Sequence, residues 1–82
     1  VDVFEDICRI ERDKSELLSD VARLFELLAE KEQETDRIAE GLSEIVACAF
    51  TLGRDMGLSY EDMYARVNET MKCRALAGKS RP

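Results

Sequence analysis

Eighty-two residues, 45% of them hydrophobic and 37% charged, make one domain at most. Eighteen acids against twelve bases leave a net charge of −6, which disfavours general binding to nucleic acid or an anionic membrane. Three cysteines without CxxC spacing, and no histidine, disfavour structural zinc and fit reduced thiols in a cytoplasmic protein.

A chain this short buries only about 60–65% of its unfolded surface, so a lone monomer is marginal. Self-association into a dimer or tetramer is expected to complete the core. No signal-peptide pattern opens the chain, and the apolar run Ile45–Phe50 is too short to span a bilayer. The first residue is Val1 rather than Met, which suits a trimmed N-terminus.

The sole proline is Pro82, and no glycine or proline interrupts residues 1–40, so the pattern is helical. Asp2 can cap a first helix, with Glu5 as its capping-box partner. Val3, Phe4, Ile7, Cys8 and Ile10 form that helix's apolar side. It either ends near Asp13 or runs on into the next helix. A second helix, with Ser15 as a candidate cap, runs to about Lys31 on the stripe Leu17, Val21, Leu24, Leu28, widened by Leu18, Ala22 and Phe25.

The polar run Lys31–Glu34 is the expected tight connection. Thr35 then caps a third helix whose stripe is Ile38, Leu42, Ile45, Ala49 and Leu52, widened by Val46 and Phe50. It stops near Gly53 or Gly57, and Gly57 suits a left-handed C-terminal cap. Ser59 caps a fourth helix whose buried side is Tyr60, Met63, Tyr64, Val67 and Met71. From about Ala75 the chain reads as an extended basic tail. The expectation is an all-α, four-helix-type domain over residues 1–74 with a central antiparallel pair, and a tail over 75–82. Cys8 and Cys48 fall on apolar faces and are expected in the core.

Glu16 and Asp20 lie one helical turn apart, and so do Glu40 and Glu44. ELLSDVA, from Glu16, is echoed by EGLSEIVA, from Glu40, twenty-four residues later. Across an antiparallel pair the four carboxylates could surround Mg²⁺, which prefers oxygen ligands and bridges them to phosphates. A solvated acidic face explains the same spacing, since Glu26 and Glu30, and Glu30 and Glu34, repeat it. Without histidine no serine here has a triad base, and TLGRDMG lacks the ending of a phosphate loop. Asp55 is either a turn residue or a ligand contact.

The segment EGLSEIVACAFTLGRDMGLSYEDM and the ending NETMKCRALAGKSRP resemble the MazG-like all-α nucleotide pyrophosphohydrolases, over roughly Lys14 to Pro82. That family carries EExxE on one helix and EExxD or ExxD on the next. This chain has Glu16 and Asp20 at the ends of the first motif and Glu40 and Glu44 at the ends of the second. Leu17 and Gly41 stand where each second acid falls; a shifted register puts Asp20, Arg23 and Glu26 on the first motif. The resemblance implies Mg²⁺-dependent hydrolysis of a nucleoside triphosphate to monophosphate and pyrophosphate. Glu16, Asp20, Glu40 and Glu44 would hold metal, while Lys72, Lys79 and Arg81 would approach phosphates. The missing acids leave a second expectation open: a helical self-association or interaction module that keeps the fold without the activity.

Overall fold

The computed structural model describes residues 3–79, with the side chain of Lys79 outside that description. The cap expected at Asp2, the phosphate contacts expected of Lys79 and Arg81, and residues 80–82 of the tail therefore lie outside the described residues. The chain forms α1 (Val3–Leu28), α2 (Thr35–Asp55) and α3 (Tyr60–Lys79), with no strand among the described residues.

The four-helix expectation is corrected to three. Of the two readings near Asp13, continuation holds: α1 runs unbroken for 26 residues. Ser15 is therefore mid-helix rather than a cap. No glycine or proline breaks the run, and a Lys14–Glu11 pair at 2.8 Å spans the expected break. At its C-terminal end Gln33 Nε2 donates to the Leu28 carbonyl at 2.7 Å. An Arg37–Glu30 ion pair at 3.6 Å bridges the connection. Glu34, not Thr35, is the N-cap of α2, and its side chain makes no capping hydrogen bond.

The turn after α2 follows the expected chemistry. Gly57 has φ +98°, the left-handed value that favours glycine. Leu58 N–H donates to the Gly53 carbonyl and Gly57 N–H to the Arg54 carbonyl, the paired bonds of a Schellman cap. Ser59 then caps α3, its Oγ accepting from the Asp62 N–H at 3.0 Å. The chain is still helical at Lys79, so the extended tail expected from Ala75 is corrected over residues 75–79.

α1 and α2 form an antiparallel hairpin along a single seam. Its residues follow alternating spacings of three and four: Ile10, Asp13, Leu17, Asp20, Leu24 and Leu27 on α1; Ile38, Gly41, Ile45, Cys48, Leu52 and Asp55 on α2. Every one of them is buried or half-buried. The register is constant, with Asp13 meeting Asp55, Asp20 meeting Cys48, and Leu27 meeting Gly41. α3 meets α2 where Met63 lies on Gly53 and Tyr60 on Phe50, with ring centroids 6.2 Å apart. It makes no close approach to α1.

Much of the expected core is exposed in the single chain. Leu24 and Leu27 are the buried large apolar side chains among the described residues. Leu18, Phe25, Leu42, Val46, Tyr60, Tyr64, Val67 and Met71 are all exposed, and so is Cys8. Val3, Phe4 and Ile7 on the first turns of α1 are exposed as well.

Candidate functional site

The seam fixes where the four expected metal ligands stand. In this register Glu44 is opposite residue 24 and Glu40 opposite residue 28. The pair Glu16 and Asp20 is eight residues back along α1, about 12 Å of helix rise. The two acid pairs are therefore staggered rather than face to face. Glu16, Asp20 and Glu44 line one recess of about 300 Å³ with Arg12, Ser15, Ser19 and Cys48. Glu40 lines a neighbouring cleft of about 360 Å³ with Arg23, Glu26, Glu30, Arg37 and Glu44.

A thiol occupies the first recess. Cys48 Sγ donates to Asp20 Oδ2 at 2.9 Å. That hydrogen bond, then burial, then the charges of Asp20, Glu16 and Glu44 push the thiol up to about 11. The thiol is therefore protonated at neutral pH and engages an oxygen that a cation would need. In the second cleft two guanidinium groups, Arg23 and Arg37, stand among the acids.

The positions that differ from the family motifs point into the seam. Gly41 is buried, and a Cβ built on it would meet Leu24 Cδ1 at 3.5 Å and Leu27 Cδ1 at 3.7 Å. Leu17 is half-buried along the same line. Gly41 also borders the cleft that holds Arg23 and Arg37, so the leucines close only one side of it. Among the described residues no three His, Cys, Asp or Glu side chains are arranged to hold a metal ion.

Lys72, the other expected phosphate contact, is exposed on α3. It lies nine residues past Met63, about 14 Å of helix rise beyond that contact with α2.

The sequence reading missed the most buried polar pair. Asp13, 6% exposed, and Asp55, with a 5% exposed side chain, stand opposite each other in the seam register. Asp55 is thus neither a turn residue nor open to ligand. The signal was present in the three–four spacing, in which both residues take seam positions.

A helical hairpin with a third helix hung from its end makes this an all-α protein. The profile of the MazG-like family matches residues 3–80, and the chain belongs to that family. No curated protein and no solved structure matches it. No helix among the described residues is long and apolar enough to cross a membrane.

Proposed function

We propose that this chain is a MazG-like helical module that acts through self-association and has lost metal-dependent nucleotide hydrolysis. Gly41 carries the reading. The family motif's second acid is replaced here by a glycine packed on Leu24 and Leu27, and the first motif's by Leu17, so two of the expected metal-site carboxylates are absent. The thiol on Asp20 and the guanidinium groups beside Glu40 support the same conclusion.

Self-association is supported by shape. The accessible surface is 6869 Å², against about 5,000 Å² for a compact chain of this mass. The radius of gyration is 15.9 Å, against about 12 Å for a compact domain of this length. The occupant we favour for the exposed faces is a second copy. An apolar groove of about 540 Å³ between α2 and α3, lined by Leu42, Val46, Phe50 and Tyr60, is where that copy would seat a helix.

A second reading is favoured by the recess that gathers Glu16, Asp20 and Glu44. It is a specialised Mg²⁺-dependent pyrophosphohydrolase, with Glu16, Asp20, Glu40 and Glu44 on metal and Lys72 and Lys79 on phosphates. Bound Mg²⁺ would supply charge neutralisation at the phosphates. Pyrophosphate release from nucleoside triphosphates with Mg²⁺ or Mn²⁺ separates the readings. The module reading expects no turnover above background. Metal-stimulated turnover that disappears when Glu40→Gln and Glu44→Gln are combined would establish the enzyme instead.

A further inference from the structure

Asp13 and Asp55 each keep one buried oxygen, Oδ2, with no donor from any other group. Two ionised carboxylates cannot hydrogen-bond each other, because both only accept. Facing each other in the seam register, they can bond only through a proton, and one proton between them would satisfy both otherwise unpartnered atoms.

The surroundings tie this pair to α3. Arg9 of α1 stands 3.8 Å from Asp55 and donates to Asp6 at 2.8 Å. Arg54 Nε stands 3.7 Å from Asp55, while its Nη1 donates to the Tyr60 hydroxyl at 3.0 Å. The Arg54 guanidinium also lies 5.7 Å from the Tyr60 ring centre. Tyr60 is the first residue of α3, so Arg54 is held by the buried acids on one side and by α3 on the other. Glu16 adds a further negative charge from α1.

We infer that Asp13 and Asp55 share one proton and work as a proton-operated catch on the docking of α3, with Arg54 as the moving part. With the proton in place the pair carries a single negative charge, divided between Arg9 and Arg54. When the proton leaves to solvent the pair carries two. Arg54 is then drawn toward the seam and off Tyr60, and α3 loosens from the hairpin. The inference stands on the seam geometry and is independent of whether the chain hydrolyses nucleotides.

The direction of the pH response follows from linkage. Asp13 is raised above the ordinary carboxylate range, first by its hydrogen bond to Asp55, then by burial, then by the charges of Asp55 and Glu16, against a lowering by Arg54. A raised acid stabilises the fold fully below its unfolded value, and that stability is lost as pH rises through the folded value.

The test is carbon-13 NMR of the aspartate carboxyl groups in the full chain across a pH titration, read alongside the Phe50–Tyr60 ring contacts. The expected result is one shared titration of Asp13 and Asp55, displaced upward, with the ring contacts weakening over the same pH interval. Asp13→Asn, whose amide donates permanently to Asp55, should remove the pH response of the ring contacts. Two separate titrations in the ordinary range would overturn the shared proton. A shared titration with pH-invariant ring contacts would overturn the catch. The wild-type titration decides both points even if the variant fails to fold.

Discussion

At position 41 the distances to Leu24 and Leu27 are those of ordinary van der Waals contact, so a methyl group fits. Gly41→Ala should therefore stabilise the fold by ~0.5–1 kcal/mol, because glycine's backbone freedom is removed without a clash. Gly41→Glu, which restores the family's acid, should instead destabilise by ~1–3 kcal/mol as a carboxyl group meets the leucines. Urea unfolding of both variants checks the pair of signs. A stable Gly41→Glu protein would mean that the seam has room for a metal-site acid. Some residue-level features were readable in advance. The Ser59 cap and the Gly57 turn depend on local chemistry, which a sequence displays directly. Asp13 and Asp55 were not readable as a pair. An acid is usually solvated, and nothing local announces that its partner is forty-two residues away.

Among the elements, the seam repeats the same lesson. Its three–four spacing runs through both helices, yet Asp13, Asp20, Cys48, Asp55 and Gly41 occupy seam positions where apolar residues are expected. Reading only the apolar residues moved the stripe toward Leu18, Phe25, Leu42 and Val46, which are exposed in the single chain. The same shift hid the register, and with it the stagger of the acid pairs. The α2–α3 contact depends on a glycine. A Cβ at Gly53 would stand 2.8 Å from Met63 Sδ and 3.0 Å from Met63 Cγ, closer than packed atoms allow. Gly53→Leu should displace Met63 and undock α3, destabilising by ~1–3 kcal/mol. Faster hydrogen exchange confined to α3 would show this. Unchanged exchange there would mean that Met63 swings aside and the contact matters little.

For the whole molecule, the surplus surface is roughly 1,900 Å² over a compact chain, more than the ~800 Å² that a standard interface takes from one partner. Length and apolar content pointed to self-association, but no sequence pattern says which faces meet. If a second copy covers them, the melting temperature should rise with protein concentration, and sedimentation should give a species larger than one chain. A monomer with a concentration-independent Tm would remove the self-association half of the account. The half that concerns chemistry rests on the two motif acids missing at Leu17 and Gly41 and on the thiol held against Asp20. Thermal melting of the full chain across a Mg²⁺ or Mn²⁺ titration, with and without a non-hydrolysable nucleotide, addresses it most directly, because a ligand that binds only the folded state raises Tm. The account predicts a Tm that stays fixed at saturating metal, with or without nucleotide. A metal-dependent rise that nucleotide enlarges would contradict it and restore the pyrophosphohydrolase.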